Sequence, residues 1–364
     1  MNTKLVLLTA LTASFTACQT TDPEPDQPYD KGVLVLNSGN FSDNNGTISL
    51  LSRDSKTIAL DVFMKENNRS LAGGVQGYAE VNDKGLILVD NSTAGKDVVE
   101  IVNARTFKAI ATIPSTDIEN PRTVVKVSDT KAYISCWDAT GDFSNFYKNP
   151  GYVAVIDLVT NKLTKKIPVQ NGAESIIVVG SEAFVGSTGS GKTLLSVIDI
   201  ATDAVKQTVV VGTNPSLLDV DANGKLWIYA NKELLRFNTS TKAVETRLKV
   251  TSPNPEVSPS AFTLSADKRT FYFTSSFYDA KDGFKQKGET YSFAIDATSI
   301  VADKPFVKRL FGGGLSVDAQ TGTIYAGLIP SYKQAGFVFR YQANGTLIDS
   351  VKAEIAPSKF FFKK

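Results

Sequence analysis

The sequence has no histidine, only two cysteines and two tryptophans, and no excess of either charge. Each shortage closes off some chemistry. Without an imidazole there is no Ser-His-Asp or Cys-His catalysis, no His-ligated zinc or copper, and no haem held by a His. Two cysteines, Cys18 and Cys136, cannot make a disulfide framework within the fold, so the core must be stable through burial alone. Lys and Arg number 39 against 37 Asp and Glu, a net charge of +2, which leaves no basic footprint for nucleic acid. The 3.6-residue helical period is missing as well. Apolar residues instead come in short β-branched runs separated by Gly, Asn and Asp. The chain of 364 residues is 42% apolar and 21% charged, ordinary for a globular protein, and its length suits a single all-β unit.

The N-terminus reads as an export signal. Lys4 forms a positive n-region, and the stretch from Leu5 to Leu11 is an apolar h-region too short to span a bilayer in a mature protein. It leads to Phe15-Thr16-Ala17-Cys18, which resembles the bacterial lipobox, in which the Cys becomes the lipidated first residue. Residues 1–17 are thus expected to be a signal peptide. Residues 18–31, where Pro alternates with acids, are expected to be a lipidated, disordered tether. This predicts an exported lipoprotein held to the membrane only by its lipid. The acidic tract after Cys18 resembles the surface-export signal of Bacteroidota lipoproteins, which implies the outer membrane and the cell surface.

Residues 32–364 repeat. Val99-Glu100-Ile101-Val102-Asn103-Ala104-Arg105-Thr106 returns as Val155-Ile156-Asp157-Leu158-Val159-Thr160 and as Val197-Ile198-Asp199-Ile200-Ala201-Thr202. Weaker copies lie at 235–242 and 293–298. Each copy is a strand, an Asx-x-x-Thr turn and a second strand, the Asx side chain accepting from backbone N–H groups two residues on. A second hairpin precedes each copy, marked by turns such as Asn82-Asp83-Lys84-Gly85 and Asp221-Ala222-Asn223-Gly224. Four short strands recurring every roughly 40–55 residues predict a seven-bladed β-propeller of four-stranded antiparallel blades. Pro357-Ser358-Lys359-Phe360-Phe361-Phe362 starts a blade where the chain stops, and Gly32-Val33-Leu34-Val35-Leu36 starts mid-blade. The C-terminal strand is therefore expected to join the N-terminal blade and close the ring.

These repeats, with Val35-Leu36-Asn37-Ser38-Gly39-Asn40-Phe41 and Asn68-Arg69-Ser70-Leu71, resemble the YncE-like (YVTN-repeat) β-propeller surface lipoproteins of Bacteroidota over the whole folded part. Among these is the BtuG type, which captures cobalamin and passes it to a TonB-dependent transporter. The resemblance implies a monomeric, non-catalytic binding propeller with cobalamin as a candidate ligand and such a transporter as a partner.

The loops between second and third strands vary most, and 138–151, 277–289 and 330–336 are long. They carry Phe143, Phe146, Tyr147, Phe277, Tyr278, Phe284 and Tyr332, with Phe41 and Trp137 at loop bases. Long loops tipped with aromatics cost ordering entropy without enlarging the core, which suits recognition. Lys148, Lys281, Lys285, Lys287 and Lys333 lie among these rings. They would favour a ring-bearing or glycan ligand with some negative charge. The same rings could instead fold back onto their own loops. Arg122, at the start of an inner strand, and Lys192 complete the candidate set. A protein- or glycan-binding scaffold is the alternative function.

Gly186-Ser187-Thr188-Gly189-Ser190-Gly191-Lys192-Thr193 fits the Walker A pattern, but the segment after it reads as a strand, whereas a phosphate loop needs a helix there. A calcium-dependent lactonase-type hydrolase would need oxygen ligands at the channel, for which Glu174, Asn171, Asn214, Asn231 and Asn91 are the available residues. No catalytic residue, metal or cofactor is expected. Trp227, Phe271 and Phe273 read as core.

Overall fold

The computed structural model describes residues 27–138 and 144–364. Cys18, the signal peptide, most of the tether and Phe143 lie outside the described residues. Seven small sheets follow one another around a ring, as the repeat predicts. The second blade shows the plan: Gly74–Val81 innermost, then Lys84–Asp90, Val98–Asn103 and Ala109–Ile113, all antiparallel. Innermost strands Pro121–Ser128, Ala173–Val179, Ser216–Val220, Ser258–Leu264 and Leu315–Val317 start blades three to seven.

The repeated turn works as its chemistry requires. Asp157 Oδ1 accepts from the N–H of Val159 at 2.7 Å and of Thr160 at 2.9 Å. Asp199 holds Thr202 N at 2.9 Å, and Asn103 and Asn238 make the equivalent contacts with Thr106 and Thr241. Four residues after each Asx, the backbone turns left-handed at Phe107, Asn161, Asp203 and Lys242. Those N–H contacts also hold the Asp157 and Asp199 carboxyls below the usual range.

The core is divided into radial wedges, one between each pair of neighbouring blades. Trp227, Leu234, Phe271, Phe273 and Phe293 fill the wedge between blades five and six. The Trp227 indole N–H donates to Asp221 at 2.8 Å, so even this ring leaves no polar atom unpaired in the core. Trp227, Phe271 and Phe273 are all fully buried, as read from the sequence.

Closure occurs as expected. Pro357–Phe362 pairs antiparallel with Val33–Asn37, which continues to Thr47–Leu51 and Ile58–Ala59. Two arginines brace this seam. Arg340, itself buried, makes a bidentate pair with Asp349 (2.7 and 2.5 Å) and donates to the carbonyls of Ser52, Arg53 and Ser55. Arg53 pairs with buried Asp318 at 2.7 Å and bonds the Lys363 carbonyl.

Three local features depart from the simple repeat. Ile300–Val301 pairs in parallel with the outer strand Ala243–Thr251 of blade five, so that sheet has five strands and blade six has three. A single bridge from Val307 to Thr290 covers the edge of blade six. The second departure is a six-residue helix, Val62–Asn67, which buries Val62 and Phe63 and is capped by Asp61 accepting from Met64 N. The third lies at the start of the described residues. Tyr29 is buried against Phe107, its hydroxyl donating to Glu66 at 2.5 Å, so the packed chain begins before Gly32.

A chain ending at Ala356 is expected to lose the cooperative thermal transition of the full chain, because the edge of Val33–Asn37 would be left unpaired and the ring open. Circular dichroism melting checks this, and an unchanged transition would mean the terminal strand does not hold the ring.

Candidate functional site

Blade starts and second-to-third strand loops share one face. Every innermost strand except Leu315–Val317 carries a bulge in its pairing with the second strand. A bulge leaves a residue out of the ladder and re-aims its side chain. Gln76, Arg122 and Glu174 are re-aimed in this way in blades two, three and four.

Arg122 ties those blades together. Its guanidinium pairs with Asp90 at 2.8 Å and Glu174 at 3.3 Å, and stacks on Trp137 with 3.9 Å to the ring centroid. Burial pushes the Asp90 carboxyl up to about 6, with Arg122 pulling the other way. Lys359, on the closing strand, donates to the Gln76 carbonyl at 2.6 Å, and the surrounding protein pushes its ammonium below the ordinary lysine range. Arg122, a candidate ligand residue from the sequence, is thus a clamp with two acids and a ring already on it.

Trp137 continues into an aromatic patch with Tyr147 at 4.9 Å and Phe146 at 6.5 Å between centroids. Tyr147 is half-buried on the glycine-rich loop after Glu182–Ser187. A Cβ on Gly189 would meet its ring at 2.1 Å, and Asn171 donates to its carbonyl at 2.8 Å. Gly189 of the Walker-like segment therefore seats a tyrosine, and Leu194–Asp199 follows the segment as a strand. Lys192 is exposed at the loop's edge. Here the rings fold back onto neighbouring loops.

Open space lies elsewhere on the face. A cleft of about 500 Å³ between blades six and seven is walled by Tyr278, Tyr332, Gln286 and Ile329 over Ser260, Thr274, Ser276, Ser358 and the backbone of residues 312–314. A second, of about 410 Å³, lies at the seam among Ser38, Asn40, Phe41, Ser42, Gln76 and, again, Tyr332. Phe41, Tyr278 and Tyr332 are exposed at 48%, 65% and 57%, high for large rings. Asn40 Nδ2 donates to the Tyr332 carbonyl at 3.0 Å, fixing that loop across the seam.

Tyr278 is carried by an elongated hairpin, Thr270–Asp279 with Lys285–Ala294. Strand alternation sends Phe277 to the opposite side from Tyr278, and Phe284 sits exposed at the tip, so neither lines the clefts. Two of the lysines there are neutralised. Lys287 pairs with Asp279 at 2.8 Å and Asp282 at 3.0 Å, and Lys285 pairs with Asp282 at 2.9 Å. The sequence placed these cations beside the rings but missed their partners, and the charge argument for an anionic ligand weakens accordingly.

The residues proposed for a calcium site are engaged in loop architecture. Glu174 pairs with Arg122, Asn171 holds Tyr147, Asn214 accepts from Gly191 N, and Asn91 bonds Ala72 O and Thr93 N. Asn231 forms a left-handed turn. Among the described residues no three His, Cys, Asp or Glu side chains gather as a ligand set. Cys136 is buried, with its thiol pushed well up by desolvation.

One pair escaped sequence reasoning. Buried Asp97 accepts from Asn91 N at 2.7 Å and Asn120 N at 2.6 Å, joining two loops of the face. Burial, then a hydrogen bond with Asp97, pushes Glu119 up to about 8. Nothing local in the sequence signals two carboxyls that meet across 22 residues.

Radial sheets, a closure strand and one elaborated loop face define a seven-bladed β-propeller. Within that class, residues 31–363 match the family described as Domain of unknown function (DUF5074), and the chain belongs to it. No curated protein matches. Among solved structures it is similar to a quinonprotein alcohol dehydrogenase-like protein from Bacteroides thetaiotaomicron, with 15% identity and TM-score 0.64 over 92% of this chain and 79% of that one. A functionally unknown protein from Desulfotomaculum acetoxidans has 13% identity and TM-score 0.58 over 91% and 98%. Hydrazine synthase of Kuenenia stuttgartiensis has 13% identity and TM-score 0.56 over 78% and 88%. At such identities the shared property is the fold.

The raised Glu119 carboxyl makes stability depend on pH. The folded state holds this proton more tightly than the unfolded one, so its contribution is complete below 4.5 and is lost as pH rises through about 8. Glu119→Gln is expected to flatten the fall in denaturation midpoint across that window. An identical pH profile in the variant would show that Glu119 is not the titrating group.

Proposed function

We propose that this protein is a non-catalytic, cell-surface binding lipoprotein that captures an uncharged, ring-bearing nutrient on its loop face. The carrying observation is the pair of clefts flanking Tyr332, lined throughout by uncharged residues and edged by the exposed rings of Phe41, Tyr278 and Tyr332. Volumes of about 410 and 500 Å³ suit a small ligand rather than a flat macromolecular interface. Support for export comes from the Lys4 n-region, the apolar h-region and the lipobox-like residues before Cys18. The resemblance to YncE-like lipoproteins supports delivery to a TonB-dependent transporter, and under the BtuG-type resemblance cobalamin is one ligand to try. A glycan has the same ring-and-hydroxyl chemistry. Capture without turnover agrees with a face whose acids are held in ion pairs and loop contacts rather than aimed at a cleft.

Two measurements test this reading. Cys18→Ala is expected to move the protein from the outer-membrane fraction to the soluble fraction, and variant protein that stays in the membrane would refute lipid anchoring. Calorimetric titration with cobalamin and with cobinamide examines the corrinoid branch. If the site is as proposed, Tyr332→Ala weakens ligand binding about tenfold, or ~1.4 kcal/mol.

A further inference from the structure

Resting on the loop-face reading above, we infer that the ligand is an extended, neutral oligosaccharide that lies across Tyr332 and fills both clefts. The two clefts share one lining residue, Tyr332, and their walls are joined where the Ser38 hydroxyl of one meets the Ser358 hydroxyl of the other at 2.5 Å. A single large macrocycle needs one continuous floor, and here a tyrosine stands between two smaller floors. A chain of linked rings can put a ring on each side and stack another on the tyrosine.

The lining chemistry selects the same class. No side chain in either cleft is charged, so an anionic ligand would give up its hydration with no countercharge in return. What the clefts offer are hydroxyls, amides and bare glycine backbone, beside exposed aromatic faces. Ser276 is already oriented by Gln286 at 3.1 Å, and Ser260 by Thr274 at 3.0 Å, leaving hydroxyl groups in fixed positions at the floor. A sugar ring presents hydroxyls at its edge and C–H groups on its faces, which are complementary to such a surface.

Two linked subsites make a specific prediction about ligand length. Once one ring is bound, the next contact is intramolecular, so affinity rises with chain length until both clefts are spanned. Gly312 allows one cleft to be closed without disturbing the fold. A Cβ there meets nothing within 4 Å, so a leucine would extend into open space.

The test is calorimetric titration of the full chain in detergent with neutral gluco-, manno- and xylo-oligosaccharides, from monosaccharide to hexasaccharide. At least one series is expected to bind with affinity that climbs about 10²-fold with length. That binding should not change between low and high salt. Gly312→Leu should remove the gain with length while leaving the melting temperature unchanged. Failure of all three series to bind, binding without length dependence, or preference for acidic sugars with loss in salt would each overturn the inference. Cobalamin titrated in parallel separates the two readings. Tyr332-dependent cobalamin binding without sugar binding would overturn the oligosaccharide and keep the loop face. Sugar or cobalamin binding indifferent to both Tyr332→Ala and Gly312→Leu would overturn the loop face itself.

Discussion

The pairing of Pro357–Phe362 with Val33–Asn37 is the contact on which the rest of the ring depends. Apart from Ile300–Val301, which adds to blade five from beyond blade six, every other blade is built from strands adjacent in sequence, so its hairpins form locally. This one joins the two ends of the folded chain. Its entropic cost grows only with the logarithm of the loop it closes, so even so long a loop is affordable. What closure prevents is larger in consequence, because an open array would expose unpaired strand edges and both halves of the hydrophobic wedge between blades seven and one. Arg340, Arg53 and Lys363 add charge-assisted contacts at or beside the seam, Lys363 bonding the carbonyl of Ala104 in blade two at 2.7 Å.

The seam also builds the candidate site. Tyr332 comes from blade seven, Asn40 and Phe41 from the first loop of blade one, and Ser358 from the closing strand. Ring closure and cleft formation are therefore one event. Charge is arranged to stay out of the clefts. Arg122, Asp90 and Glu174 satisfy one another around the channel, and Lys285 and Lys287 are balanced by Asp279 and Asp282 on the hairpin. The openings that remain are neutral and aromatic.

Much of the architecture was legible because its signals are local. An Asx-x-x-Thr turn works through hydrogen bonds spanning two or three residues, so Asp157 and Asp199 announce it in any context. Tyr278 and Tyr332 could be picked out for the same reason, as rings in long loops that a core does not need, and Phe41 as a ring at a loop base. Trp137, Phe146 and Tyr147 carried the same signal and yet pack on their neighbours, since nothing near them in sequence reveals that Gly189 leaves room for a ring.

By itself the sequence determined the blade repeat, the ring and its closure, and the face on which the variable loops gather. Alternation and turn chemistry are properties of a few consecutive residues. Only the tertiary structure decided which rings stay open, that Arg122 is a clamp, that Lys285 and Lys287 are neutralised, and that Asp97 meets Glu119. Each of these depends on distances between residues far apart in the chain, and such distances exist only once the blades are set around their axis.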